Sequence, residues 1–382
     1  MKAILPKIKF KNFNEKWNRK KLQSIAPLRG GFAFKSEKFL DSGIPIVRIS
    51  NIKFDGTVGG EFEYYSKINP DEKFVLRGRS ILLAMSGATT GKIAMLDSEK
   101  EYYQNQRVGY FQNTGAVDYD FLSSILQTKE FTNQLNSVLV AGAQPNISSK
   151  EVDSFVFCIP ESLDEQSAIG ILFRTLDDLL ASYKDNLTNY QALKTTMLSK
   201  MFPKAGQRVP EIRLDGFEGE WGRNSLSEVC TINSGRDYKH LKYGDIPVYG
   251  TGGYMLSVNE KLCDEDAIGI GRKGTIDKPY LLLAPFWTVD TLFYVTYKVG
   301  YDLNYLFLIF QKVRWKKFDE STGVPSLSKK TIEKVVSKFP SFSEQQAIGS
   351  YFSNLDSLIN SHQEKISQLE TLKKKLLQDM FI

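Results

Sequence analysis

Pro6-Lys7-Ile8-Lys9-Phe10-Lys11-Asn12-Phe13-Asn14-Glu15-Lys16-Trp17 returns 204 residues later as Pro210-Glu211-Ile212-Arg213-Leu214-Asp215-Gly216-Phe217-Glu218-Gly219-Glu220-Trp221. Asp164-Glu165-Gln166-Ser167-Ala168-Ile169-Gly170 returns 179 residues later as Ser343-Glu344-Gln345-Gln346-Ala347-Ile348-Gly349, and Met201-Phe202 returns as Met380-Phe381. The chain is therefore written twice, with a longer insert in its first half. A duplicated chain can fold as two similar units about a pseudo-two-fold axis.

The closing segment of each copy reads as a helix with a heptad-like seam. Ile169, Phe173, Leu176, Leu180, Tyr183, Leu187 and Tyr190 alternate steps of four and three, followed by Leu193, Met197 and Met201. The second copy gives Ile348, Phe352, Leu355, Ile359, His362, Ile366, Leu369, Leu372, Leu376 and Met380. Both seams contain two successive steps of three, where a coiled coil overwinds. Each helix is expected to start at Asp164 or Ser343, just before Glu-Gln. One arrangement has each helix covering its own unit. The other, favoured by the narrow regular stripe, packs the two antiparallel as a coiled-coil rod, with Leu176, Leu180 and Leu187 facing Leu355, Ile359 and Ile366.

The inserts read as α+β units. Short apolar runs such as Ile44–Ile49, Ser80–Met85 and Leu292–Val295 alternate with glycine-rich turns. Gly43–Ile52 matches Gly244–Met255, Arg79–Leu96 matches Glu265–Leu282, and Tyr103–Gln112 matches Phe286–Thr296. Asp118–Gln127 and Asp302–Gln311 are each a short amphipathic helix. The expected boundaries are 1–160 and 204–340 for the two units, and 161–203 and 341–382 for the two helices.

The net charge of +6 is a mild basic bias. Residues 164–201 and 343–382 each hold five acids and four bases, so the two helices together carry −2 and the remainder +8. The positive surface belongs to the inserts and suggests a polyanion. Cys158, Cys230 and Cys263 show neither zinc-ligand spacing nor a disulfide framework. No apolar run is long enough to span a membrane, and the first residues are charged. A cytoplasmic protein is expected.

No motif supplies an active site. Gly87-Ala88-Thr89-Thr90-Gly91-Lys92-Ile93 is one residue too short for a P-loop and has Ile93 where a magnesium-binding hydroxyl is needed. No Asn-Pro-Pro-Tyr or Asp-Pro-Pro-Tyr is present, and His240 and His362 are the only histidines. Several loops suit nucleic acid instead. Ser86, Thr89, Thr90 and Lys92, with their counterparts Arg272, Lys273 and Thr275, combine hydroxyls, open amides and cations able to hold phosphate. Gln104, Asn105 and Arg107 have the chemistry for adenine and guanine edges. Gln144 and Asn146, Lys35, Arg48 and Asn51, and Arg236, Lys239, Tyr249 and Thr251 complete the candidate set. Taken singly, a glycine-rich loop is more often only a turn.

The two Pro-x-Ile-[Lys/Arg] starts, the two variable inserts and the two Glu-Gln helices ending in Met-Phe resemble the specificity subunit of type I restriction-modification systems over essentially the whole chain. The resemblance implies two target recognition domains, each reading one half of a bipartite double-stranded DNA site. It implies an antiparallel helical spacer that docks two modification subunits, which methylate adenine using S-adenosylmethionine. Two restriction subunits, ATP- and magnesium-dependent translocase-nucleases, could join them. The chain itself would hold no cofactor and no catalysis. Alternatives are the DNA-reading part of a fused restriction-methyltransferase, or a coiled-coil scaffold that binds no DNA.

Overall fold

The computed structural model describes residues 6–139 and 146–381. Two compact units divide the chain: Met1–Lys184 with Lys365–Ile382, and Asp185–Glu364. Each is built from the same pieces.

In the first unit an antiparallel ribbon joins Trp17–Lys21 to Val156–Pro160. An antiparallel sheet runs in the order Leu28–Arg29, Val108–Phe111, Ser80–Ala84, Ile93–Leu96. The run Ser80-Ile81-Leu82-Leu83-Ala84 is buried on both faces, as an uninterrupted apolar strand must be. A second sheet orders Glu63–Tyr65, Ile44–Val47, Tyr102–Gln104 and Val75–Leu76, and its two middle strands are parallel. The second unit repeats the ribbon with Gly222–Ser225 and Val336–Phe339. It repeats the first sheet as Cys230–Ser234, Leu292–Tyr297, Ala267–Gly271, Tyr280–Leu282. Its second sheet has three strands, Gly253–Val258, Tyr243–Gly250 and Trp287–Thr288, the last pair again parallel. The matched short helices are Tyr119–Ile125 and Leu303–Lys312. Each is N-capped by an aspartate, Asp118 accepting from the Phe121 amide and Asp302 from that of Tyr305, both at 2.8 Å.

The long helices are Leu163–Lys200 and Phe342–Asp379, 38 residues each. They begin earlier than expected. The capping hydroxyls are Ser162 and Ser341, which accept from the amides of Glu165 and Glu344 at 3.3 Å. This frees the repeated Glu-Gln for other work. Gln166 accepts from the Asp118 amide (2.9 Å) and donates to the Pro160 carbonyl (2.8 Å). Gln345 does the same with Asp302 (3.2 Å) and Pro340 (3.0 Å). The glycine four residues on lets the short helix come close. A Cβ at Gly170 would lie 2.5 Å from the Phe121 amide nitrogen, and one at Gly349 2.5 Å from Asp302 Oδ1.

The first half of each seam is buried in the core of its own unit: Ile169, Phe173, Leu176 and Leu180 in the first, Ile348, Phe352, Leu355 and Ile359 in the second. The end of the other helix packs against it. In the first unit Met380 and Phe381 enter the core, and Phe381 meets Trp17, Phe121 and Phe173 with ring centroids 5.7–6.2 Å apart. In the second, Met201 and Phe202 do so beside Trp221, Tyr305 and Phe352. Both expected arrangements therefore hold, each over part of the helix length.

Within each unit the helix segments run antiparallel. Lys184 reaches Glu370 (2.8 Å) and Lys373 reaches Asp177 in the first unit. Tyr190 meets His362 (ring centroids 5.2 Å) and Lys194 meets Asp356 (2.5 Å) in the second. This register corrects the expected facing set. Leu176 lies with Leu369, Leu376 and Met380, and Leu355 with Tyr190, Met197 and Met201. Leu187 and Ile366 are half-buried. The two steps of three have a visible effect: they turn Leu193 and Leu372 outward, to 36% and 46% exposure, and bring Lys194 and Lys373 inward onto Asp356 and Asp177. An ion pair replaces leucine at the break in both copies.

The two Glu-Gln sites differ in charge. Arg213 donates to Glu344 from Nε (2.8 Å) and Nη2 (2.7 Å). Glu165 has only Trp17 Nε1 (3.2 Å), and its Oε2 has no partner. Lys9, at the position matching Arg213, bonds to Asn14 instead. Burial pushes the Glu165 carboxyl above the ordinary carboxylate range. Its ionisation costs nothing below that ordinary range. The cost builds as pH rises to the raised folded-state value and is complete above it. Glu165→Gln is expected to preserve or raise stability at neutral pH and to remove this pH dependence. Glu344→Gln should cost about 3 kcal/mol, because it removes the counter-charge of Arg213 and leaves that cation only the carbonyls of Glu218 and Gly219 and a neutral amide. Calorimetric melting of wild type and both variants between mildly acidic and neutral pH checks the contrast.

Candidate nucleic-acid interface

One tight turn sits at the same place in each unit. In the first unit it follows Tyr102–Gln104 and leads into Val108–Phe111. Five backbone hydrogen bonds fix it. The Phe32 amide donates to the Gln104 carbonyl (2.8 Å), Asn105 to Val47 (3.1 Å), Gln106 to Phe32 (2.9 Å), Val108 to Asn105 (2.9 Å), and Met85 to Arg107 (2.9 Å). In the second unit four of these recur: Arg236 to Thr288 (2.8 Å), Val289 to Tyr249 (3.0 Å), Leu292 to Val289 (2.9 Å) and Arg272 to Thr291 (2.8 Å). The chain crossing this turn must be glycine. A Cβ at Gly31 would lie 2.2 Å from the Asn105 carbonyl oxygen, and one at Gly235 2.0 Å from that of Val289.

In the first unit the exposed side chains at the turn are Gln106 and Arg107, with Asn105 half-buried and accepting from the Arg107 amide (3.2 Å). The adjoining loop holds half-buried Thr89 and Thr90, which bond to the carbonyls of Ile49 (3.3 Å) and Gly87 (2.7 Å). Lys92 lies over the ring of Phe54 at 4.5 Å, and Phe54 is 77% exposed. A cation on an exposed aromatic ring suits stacking against a base or a phosphate beside it. Lys35 and Asn146 are exposed. Arg48 is paired to Glu63 at 3.2 Å. Gln144 lies outside the described residues.

Three expected contacts are corrected. Gln104 is fully buried; its oxygen accepts from Arg29 Nε (3.2 Å) and Nη2 (3.0 Å), and its nitrogen donates to the carbonyls of Arg29 (2.8 Å) and Val108 (2.7 Å). Asn51 is buried too, accepting from the Arg48 amide (2.9 Å) and donating to Glu61 (2.8 Å). Ser86 is buried beneath its loop. Strand alternation sends Gln104 inward, while Asn51 ends one short 3-10 turn and Ser86 precedes another, and all three face the protein.

In the second unit Arg236, Lys239, Arg272 and Lys273 are exposed, while Tyr249, Thr251 and Thr275 are half-buried. Tyr249 packs edgewise on Tyr254, ring centroids 6.3 Å apart. Beside the turn lies a cavity of about 350 Å³ lined by Arg272, Lys273, Lys329, Ser234 and Ser326. The acids at its rim are spent on the protein. Asp319 accepts from the amides of Ser321 (3.0 Å) and Ser326 (2.9 Å), and Glu320 holds Ser328 (2.9 Å) and Thr331. The amide bonds hold the Asp319 carboxyl below its usual range. Cations with hydroxyls around an open cavity can take a phosphate.

The sequence matches the type I restriction modification DNA specificity domain over residues 14–189 and 218–371. The chain belongs to this family. Among its relatives is the MjaVIII specificity subunit of Methanocaldococcus jannaschii, 26% identical over 173 residues, 44% of this chain and 40% of that protein. The EcoAI specificity subunit of Escherichia coli is 29% identical over 175 residues, 43% of this chain and 30% of that one. The matches thus span less than half of either relative. The crystal structure of a type I restriction-modification S subunit from M. genitalium superposes with a TM-score of 0.71 over 99% of both chains at 18% identity, a likeness of fold. Among the described residues of this specificity-family chain no group of three His, Cys, Asp or Glu could hold a metal, and no helix is long and apolar enough to cross a membrane.

Gln106, within the amide-rich stretch Tyr102–Arg107, is exposed, as are Phe54 and Asp290, which the sequence did not single out. Gln106 and Asp290 fall in the matched blocks 103–112 and 286–296, but nothing in those blocks says which side chains point outward. Gln104→Ala is expected to lower stability by about 2–4 kcal/mol, since it strips the half-buried Arg29 guanidinium of its side-chain acceptor and leaves the buried carbonyl of Val108 without its donor. Its binding loss, measured on any DNA against the fraction folded, should vanish at temperatures where the variant is fully folded.

Proposed function

We propose that this chain reads a bipartite duplex DNA sequence, with residues 1–160 taking one half and 204–340 the other. The paired helices, 161–203 and 341–382, set the gap and seat two modification subunits. S-adenosylmethionine, and the ATP and magnesium used by two restriction subunits where these join, belong to the partners. The chain acts by placing them in the cytoplasm, without chemistry of its own. One observation carries the reading: the same backbone turn is fixed by matching hydrogen bonds in both units and presents different exposed side chains in each. A shared frame with exchanged side chains is what two readers of different sequences require. The positive excess in the inserts favours DNA over a bare scaffold.

Deleting the gene should erase one split adenine-methylation motif from the host genome, as read by methylome sequencing; an unchanged methylome would sink the proposal. Replacing residues 18–150 by the matching region of a relative should alter one half of that motif and spare the other. Four residues inserted after Ala192 add about 6 Å of helix, close to two base steps of about 3.4 Å. The motif's gap should then lengthen by one or two base pairs with both halves unchanged.

A further inference from the structure

The turns at Asn105–Arg107 and Val289–Thr291 share their backbone hydrogen bonds and differ at the tip. Gln106 and Arg107 stand exposed on the first, and Asp290 on the second. Among the described residues Asp290 has no ion pair within 4.0 Å, although Arg272 and Lys273 both donate their backbone amides to the neighbouring Thr291, at 2.8 and 3.3 Å. An exposed carboxylate whose neighbouring strand leads to a cavity lined by Arg272, Lys273 and Lys329 is repelled by a DNA backbone seated there. Set against a base edge, it needs a hydrogen-bond donor opposite it.

We propose that this turn is the base-reading element of each unit: Asp290 accepts the exocyclic amine of a cytosine, while Gln106 and Arg107 address purine edges. The inference rests on the DNA-reading function proposed above. An ionised carboxylate only accepts. Cytosine offers it an N4 amine in the major groove. Adenine offers an N6 amine beside the N7 acceptor, which would confront the second carboxylate oxygen. Guanine and thymine offer acceptors at the corresponding positions. Gln106 carries one donor and one acceptor, the complement of adenine N6 and N7, and Arg107 carries paired donors, the complement of guanine O6 and N7. The cavity beside Asp290 would hold the backbone phosphate that sets the base edge against the carboxylate. Lys92 on Phe54 stands next to the first turn in the corresponding loop.

The test is methylome sequencing of the host carrying wild type, a gene deletion, Asp290→Ala, Asp290→Asn, or Arg107→Ala. If deletion leaves the methylome unchanged, the DNA-reading function itself fails. If deletion removes a motif, Asp290→Ala should weaken the preference for one C·G pair in one half-site by about tenfold, with the other half intact. Arg107→Ala should relax a purine in the opposite half only. Asp290→Asn, isosteric and now bearing both donor and acceptor, should shift that cytosine position towards adenine. A motif unchanged by the Asp290 variants, or changed in both halves by either one, overturns the inference. So does loss of all methylation by both Asp290 variants, because a side chain that reads one base has no such reach.

Discussion

Gln166 and Gln345 are the joints on which each unit depends. One amide side chain, buried to 2% exposure, accepts from the start of a short helix and donates to the end of a ribbon strand, while its own backbone lies in the first turn of a long helix. Three elements are pinned by two hydrogen bonds. At so buried a position, leaving either group unmade costs its full desolvation. The glycine four residues on is needed for the same reason, since a methyl group there would push the short helix off its partner. The repeated Glu-Gln-x-Ala-Ile-Gly thus records one packing solution used twice, and the neighbouring Glu is the part that diverged, paired with arginine in one copy and with an indole in the other.

The duplication, the α+β character of the inserts and both long helices were legible in the sequence because each leaves a periodic or repeated trace. The register of the helix pair was not. Leu193 and Leu372 continue the apolar list on paper, yet two steps of three rotate them towards solvent and deliver Lys194 and Lys373 to aspartates. A heptad list records spacing along one helix and says nothing of what stands opposite. The site was less legible still. Gln104 and Gln106 have identical chemistry two residues apart. One is locked on a half-buried arginine and the other is open to solvent, because a strand ends between them. Glycine content located the loops correctly, while direction within them depends on a handful of backbone hydrogen bonds between residues far apart in sequence.

The two units keep different conditions at equivalent places. The first carries an aromatic–cation pair at its surface, the second a cavity ringed by cations and hydroxyls. The sheets beneath them run in the same order and share the one parallel strand pair that carries the turn. The backbone below is fixed by matching hydrogen bonds and the exposed side chains above it differ, so substitutions at the tip need not disturb the core.

The Met380-Phe381 contact has a consequence for how the chain comes into being. All the strands of the first unit have been synthesised once Pro160 is made, yet the aromatic group that closes its core beside Trp17 follows more than 200 residues later. At about 5–20 residues per second, the first unit waits roughly ten to forty seconds with Trp17, Phe121 and Phe173 uncovered. The second unit, whose Met201-Phe202 is made before its own sheets, waits only for the start of the helix that directly follows its last strand. Vectorial synthesis therefore finishes the later unit no later than the earlier one, and the exposed interval falls on the half of the protein made first.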